Sequence, residues 1–236
     1  MNSAESIIKS IRGALVPIRR EGYVFIAVAV FLALFLGWFF EPILWIGLII
    51  AAWCTYFFRD PPRVTPVEAE LVVSPADGRI ATISLGVAPK ELGLGEQIRR
   101  RVSVVMSVFD CHVNRSPIAG KVERIVYTPG QFLNAELDKA SAGNERNGVT
   151  LETAYGPVGV VQIAGLIARR IICWAKIGDD LAPGERIGMI RFGSRVDLYL
   201  PVAASILVAE GQTAIAGETV IARFGDKLPE RPVRID

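Results

Sequence analysis

GDDLAPGERIGMIRFG (residues 178–193) and GQTAIAGETVIARFG (211–225) align along their whole length once one residue is gapped. Each opens on Gly, reaches a Gly-Glu pair six residues later, and closes with an apolar run ending Arg-Phe-Gly. Glycine at a fixed place ahead of an apolar run marks a corner where the backbone takes unusual dihedrals. The segments around these two share a period of two: RVSVVMSVF (101–109), KVERIVYT (121–128), GVTLETAY (148–155), GVVQIAG (159–165) and ARRIICWAKI (168–177). Short alternating runs bounded by Asp-Gly, Pro-Gly and Asn-Gly specify strands. A helix has room only in short pieces, around 134–142.

Strands turned at Gly-Glu corners resemble the half-motifs of hammerhead folds of the biotinyl and lipoyl type, and PIAGKVERIVYTPGQFL (117–133) has a similar cadence. The expected fold over 67–236 is an all-β domain, a sandwich of hammerhead-like strands with Gly-Glu corners. The two copies part company at one place. The second continues Gly225-Asp226 and the first Gly193-Ser194, so only the first offers a hydroxyl. Read locally, Gly193-Ser194 is equally a tight turn.

The front of the chain obeys different rules. After a basic segment (1–22) come YVFIAVAVFLALFLGWFF (23–40) without a charge, Glu41-Pro42, and ILWIGLIIAAWCTYFF (43–58). Each half approaches the roughly 20 residues of a membrane-spanning helix. Proline ends one helix and suits the start of the next, which predicts a helical hairpin over 23–58. Lys9, Arg12, Arg19 and Arg20 precede it and Arg59 and Arg63 follow, favouring both ends on the cytoplasmic side. Trp38, Phe39, Phe40 and Trp45 sit around the turn. Whether the pair spans or is re-entrant is left open by this pattern, as is a helical pair buried in a soluble core. DPPRVTP (60–66) lies in a Pro-rich linker, 59–66, to the β domain.

A net charge of +2 over 236 residues gives no footprint for nucleic acid. The three cysteines, Cys54, Cys111 and Cys173, form no CxxC pair, so neither a disulfide framework nor a zinc site is expected, and the compartment is a reducing one. His112 is the single imidazole, hence the single candidate for acid–base chemistry near neutrality.

SPADGRI (74–80), FDCHVNRSP (109–117) and RFGSRVDLYLP (191–201) each have plain local readings. Asp77-Gly78 suits a hairpin turn, His112 a core histidine and Asn114–Pro117 a strand end. Taken together with FLNA (132–135), NERN (144–147) and the apolar front, they resemble the phosphatidylserine decarboxylase family in its short form. The resemblance covers the whole chain. It implies a pyruvoyl-dependent proenzyme that cuts itself between Gly193 and Ser194 into a beta chain (1–193) and an alpha chain (194–236), which stay associated. Ser194 Oγ attacks the Gly193 carbonyl, and elimination leaves a pyruvoyl group at position 194. That ketone takes the substrate amine as a Schiff base and replaces pyridoxal phosphate; no metal is implied. His112 is the implied proton donor or carboxylate holder, and Asp77 the carboxylate that orients it in an Asp77–His112–Ser194 relay. The longer family form has a second His three residues after the position of His112. This chain has Arg115 there, which leaves the base that activates Ser194 open.

The implied reaction turns phosphatidylserine into phosphatidylethanolamine and CO₂ at the cytoplasmic face of the cell membrane, with lipid as the partner surface. Arg99, Arg100, Arg101, Arg169 and Arg170 are candidates for anionic lipid at about 1 kcal/mol per near-surface charge, or form a solvated face. Two other readings stand beside this one. A non-catalytic hammerhead adaptor would never split, and a pyruvoyl decarboxylase for a soluble amine would have no use for the hairpin. Oligomeric state and the phosphate-binding residues are not legible.

Overall fold

The computed structural model describes residues 16–132, 143–165, 170–191 and 194–225. The chain divides into two compact units, Met1–Pro62 and Arg63–Asp236.

In the first unit, α1 (Arg20–Gly37) and α2 (Glu41–Phe57) form the expected hairpin, with the turn at Trp38–Phe40 and Glu41-Pro42 opening α2. Pro42 lies in the first turn of α2, where its missing N–H has no partner to lose. Small residues let the helices close up. A Cβ on Gly47 would come within 2.4 Å of the Ala33 Cβ, and one on Gly22 within 2.5 Å of Phe58. The two ends are tied together by Arg19 N–H to Phe58 O (2.9 Å), Asp60 N–H to Pro17 O (2.7 Å) and an Arg19–Asp60 ion pair. The outer surface is apolar, with Val24, Phe31, Trp45 and Ile49 exposed and Trp38 at 87% exposure. By length and hydropathy α1 suffices to cross a bilayer, and α2 is shorter at 17 residues.

The second unit is β throughout its described strands. β1 (Leu71–Val73), β2 (Gly78–Val87), β3 (Ile98–Met106), β4 (Val113–Arg115) and β5 (Gly120–Thr128) come first. β6 (Arg146–Glu152), β7 (Val158–Ala164), β8 (Arg170–Cys173), β9 (Asp180–Leu181) and β10 (Arg186–Arg191) follow. β11 (Ser194–Leu200), β12 (Ser205–Ile206), β13 (Thr213–Ala214) and β14 (Val220–Arg223) complete the series. An eight-stranded antiparallel sheet runs β13-β2-β3-β11-β7-β6-β5-β9, flanked by two three-stranded sheets, β1-β14-β12 and β4-β10-β8. The all-β expectation holds. The short helix expected around 134–142 lies outside the described residues.

The internal echo is a structural duplication, and it is wider than the two stretches that announce it. SPADG (74–78) and SPIAG (116–120) are matching corners. Ser74 Oγ–H donates to Ala76 O and Ser116 Oγ–H to Ile118 O (2.6 and 2.8 Å). Val73 N–H reaches Pro117 O while Arg115 N–H reaches Pro75 O, a reciprocal pair that a two-fold relation demands (2.8 and 2.9 Å). Gly217 N–H to Ser74 O and Gly184 N–H to Ser116 O repeat the same bond at 2.8 Å. The Gly-Glu corners turn on Gly184 and Gly217, with φ of +73° and +76°, where glycine alone is unstrained.

The strand register corrects the alignment in one respect. Ala222 faces Val72 as Gly188 faces Asn114, and Arg223 faces Leu71 as Met189 faces Val113. Arg223 is therefore the counterpart of Met189 and not of Arg191, because the second copy carries an extra residue at its corner. The matching Arg-Phe-Gly endings are out of step in space. Asp77-Gly78 likewise opens β2 rather than closing a hairpin, since β1 and β2 belong to different sheets.

β11 lies at the centre, hydrogen-bonded to β3 on one side and β7 on the other, with all seven residues buried. Val196, Leu198 and Leu200 enter the main core with Val102, Val104 and Val160. On the opposite face Tyr199 joins Ala88, Leu92, Leu94, Val161 and Ile163. Leu92, on a 3₁₀ turn (Lys90–Leu92), rests on the bare backbones of Gly148 and Gly159, where a Cβ would come within 2.9 and 2.6 Å of it. A strand covered on both faces reads as a continuous run rather than an alternation. That is why RVDLYL is apolar except where Arg195 and Asp197 pair with each other.

Candidate active site

Ser194 is the first residue of β11 and is 2% exposed. It stands opposite Met106 on β3 and Ala164 on β7, and its Oγ lies 3.9 Å from the Met106 sulphur. A thioether is a weak acceptor, and the hydroxyl has no nitrogen or oxygen partner among the described residues. Gly193, the other half of the expected cleavage site, lies outside the described residues, as does Arg169.

His112 is fully buried just ahead of β4. Its Nδ1 lies 3.0 Å from the backbone carbonyl of Asp110. That carbonyl can only accept, so Nδ1 carries the proton and Nε2 is the basic nitrogen of the neutral ring. Asp77 sits at the corner before β2. Its carboxylate accepts both hydrogen bonds from one Arg63 nitrogen (2.9 and 2.7 Å) and a third from Ala216 N–H (2.8 Å). Burial pushes its pKa up; the Ala216 N–H and the Arg63 guanidinium pull it back, and the Asp110 carboxylate adds to the rise. Asp77 is thus electrostatically coupled to the turn that holds His112. The described contacts of Asp77 go to Arg63 and Ala216, and that of His112 Nδ1 to the Asp110 carbonyl. Gly78 holds this corner against β3. Its φ is +142°, and a Cβ there would come within 2.2 Å of the Val105 carbonyl oxygen.

Arg115, where the longer family form has its second His, is buried and donates to the Gly184 carbonyl (2.9 Å). It braces the Gly-Glu corner. Asn144 and Glu145, from the NERN segment, enclose the neighbour of Ser194. Asn144 Nδ2–H donates to Ala164 O (2.8 Å) and Ala164 N–H to Glu145 O (2.9 Å). The Glu145 carboxylate also accepts from Ile171 N–H (3.2 Å). Arg195 and Asp197 form a two-point ion pair on the face of β11 away from Ser194, with Nε–Oδ1 at 2.8 Å and Nη2–Oδ2 at 2.9 Å. Burial, joined by the Asp197 charge, pushes the Tyr199 hydroxyl up to about 12.

A buried chain of amides escapes sequence reasoning. Asn147 Nδ2–H donates to Gln162 Oε1 (3.0 Å), Gln162 Nε2–H donates to Asn114 Oδ1 (2.8 Å), and Asn114 Nδ2 lies 3.7 Å from the Met106 sulphur. The one signal that could have found it is Gln162 within VGVVQIA, a polar residue in a strand buried at every position. Among the described residues no group of three or more His, Cys, Asp or Glu has metal-holding geometry.

Fold and site together define a duplicated, hammerhead-type β domain whose candidate chemistry falls where the copies differ: Asp77 answers to Ala119, His112 to Glu70 and Asn114 to Val72. The family model for phosphatidylserine decarboxylase matches residues 50–222, most of the chain, and the chain belongs to that family. It is a decarboxylase of phospholipid metabolism whose substrate is phosphatidylserine. Membership removes the adaptor reading.

Proposed function

We propose that the protein is a self-processing, pyruvoyl-dependent phosphatidylserine decarboxylase in which Ser194 is the precursor of the pyruvoyl group. The observation that carries the reading is the Ser194 hydroxyl, sealed at the head of the central strand with only the Met106 sulphur beside it among the described residues. A serine kept for structure pairs with a carbonyl, whereas this one is left available for reaction. The buried, largely apolar walls suit a small uncharged ketone at the same position.

Processing begins when the Ser194 Oγ proton passes to a base, for which His112 Nε2 is the candidate. Oγ bonds to the preceding carbonyl carbon, the C–N bond breaks, and the nitrogen takes up a proton, leaving an ester. Loss of the Ser194 Cα proton and cleavage of Cβ–Oγ release residues 1–193 as a carboxylate. Water then replaces the nitrogen of the remaining enamine, with loss of ammonia. Asp77, coupled to the Asp110 turn, stabilises the imidazolium while Arg63 and Ala216 N–H hold the carboxylate in place. When bound, the pyruvoyl ketone supplies the electron sink for the pair left behind by CO₂. His112 also returns the proton to the substrate carbon.

The apolar exterior of the α1–α2 hairpin supports attachment to a membrane, where the substrate resides, with the β domain on the cytoplasmic side. A higher oligomer is compatible with this reading. Intact-mass measurement of the purified, denatured protein is the test. The proposal requires two chains, the smaller holding 43 residues and lighter by one ammonia than its serine-started form. A single chain of 25.7 kDa after incubation with lipid vesicles would refute it.

A further inference from the structure

We infer that Asn114 donates the hydrogen bond that stabilises the oxyanion formed when Ser194 attacks the preceding carbonyl, and that Gln162 and Asn147 hold its amide in the donating orientation. The inference rests on the reading of Ser194 as the self-cleaving residue. Asn114 is fully buried on β4, opposite Gly188. Its Oδ1 is occupied by Gln162 Nε2–H, which leaves Nδ2 pointing at the Met106 sulphur. Gln162 cannot turn round, because its Oε1 is held by Asn147 Nδ2–H. The polarity of the chain therefore runs one way and ends on an amide N–H whose only acceptor among the described residues is a thioether.

The same sulphur is the contact of Ser194 Oγ, and Met106 stands opposite Ser194 across the β3–β11 ladder. Donor and nucleophile meet on one soft atom, which offers no competition to an anionic oxygen. The sheet register places Asn147, Gln162 and Ser194 on one face, since Gln162 lies across from both Asn147 and Val196. Gly188 makes the room. A Cβ there would come within 2.9 Å of Gln162 Nε2 and 2.2 Å of the Ile172 carbonyl.

The duplication supplies the control that is normally missing. The twin of Asn114 is Val72, equally buried, paired with Ala222 where Asn114 pairs with Gly188. The motif thus folds with an aliphatic residue at this position, and the amide is not required by the architecture. Burying three amides costs desolvation that their mutual hydrogen bonds offset, except at the terminal N–H. That N–H gains a strong acceptor only when the Ser194 proton has left, Oγ has bonded to carbon, and the carbonyl π pair has moved onto oxygen. Donors aimed at charge that develops only during reaction give the largest rate effects.

The test follows appearance of the 43-residue chain by mass after cell-free translation of the full chain in the presence of phospholipid vesicles. Asn114→Asp keeps the shape and removes the donor, and should slow splitting about 100- to 1,000-fold. Asn114→Val, which copies Val72, should slow it similarly and carries the comparison if the aspartate variant does not fold. Gln162→Leu should slow splitting in the wild-type background and add nothing to Asn114→Asp, a non-additivity that general loosening of the core does not produce. Urea midpoints of each variant, measured with Ser194→Ala so that all chains stay whole, separate chemistry from folding. A wild-type chain that splits beside a folded Asn114 variant splitting within threefold of it overturns the inference and leaves Ser194 standing. A wild-type chain that never splits overturns both.

Discussion

Replacing Asp197 with Asn removes a counter-charge that the fold has sealed in beside Arg195. Arg195 and Asp197 are 2% and 0% exposed, and two contacts of 2.8 and 2.9 Å join guanidinium to carboxylate away from water. Removing the carboxylate of such a buried pair takes away the guanidinium's counter-charge, at about 3–5 kcal/mol. The folding equilibrium should fall by a factor on the order of 10²–10⁴, since 1.4 kcal/mol is tenfold. Replacing both together, Arg195→Met with Asp197→Leu, removes two desolvation penalties along with one attraction and should leave stability unchanged or higher. The assay is urea unfolding of the full chain in detergent, followed by the far-ultraviolet signal of the β domain, with Ser194→Ala in every variant. Wild type, both single variants and the double variant form a cycle whose coupling term is read directly. The physical argument is refuted if Asp197→Asn costs under about 1 kcal/mol, the range of solvated surface pairs. It is equally refuted if the double variant loses as much as the worse single one.

Gly78→Ala should destabilise the β domain by more than the roughly 1–3 kcal/mol of backbone strain alone, because the new methyl also meets the Val105 carbonyl; a thermal melt of the Ser194→Ala chain reads it. Asp77 has a raised pKa in the folded state, so its contribution to stability is complete below the unfolded value of about 3.9 and is lost as pH rises through the folded value. The melting temperature of Asp77→Asn should therefore gain on wild type as pH rises through that window and run parallel to it above; parallel curves throughout would contradict the burial effect. In single-tryptophan variants, emission from Trp38, the most exposed residue at the hairpin turn, should be quenched by brominated lipid tails, and Trp174 in the β domain should not. Equal quenching would remove the hairpin as the membrane element.

Much of the architecture was legible because it depends on local chemistry. Gly178, Gly184, Gly211 and Gly217 all adopt positive φ, and their spacing announces a duplicated corner before any coordinate is known. Glu41-Pro42 announces the hairpin turn for the same kind of reason, since a proline's missing donor is a property of one residue. The one-residue gap between the copies went to the wrong place because Arg-Phe-Gly is a strong textual match. Register is decided instead by which residues enter the core, and Ile187 and Ile221 occupy equivalent buried positions. The second half of the duplication, SPADG against SPIAG, is plain in the text, yet it acquires meaning only when Val73 and Arg115 exchange bonds with each other's corners.

The site divides along the same line. Sequence alone determined the identities: one imidazole, one hydroxyl where the repeat breaks, one carboxylate in the first corner, and an apolar front that sets the chain apart from soluble domains. Those are facts of composition and order. Only the tertiary structure decided what each faces. Asp77 holds Arg63 and Ala216, His112 takes its orientation from a backbone carbonyl two residues away, and Arg115 braces a corner. The amide chain from Asn147 through Gln162 to Asn114 joins the consecutive strands β6 and β7 to β4, with Asn114 48 residues before Gln162. Hydrogen-bond polarity and burial are set by neighbours across a sheet, and neighbours across a sheet are chosen by the core as a whole, not by any stretch of the chain that can be read by itself.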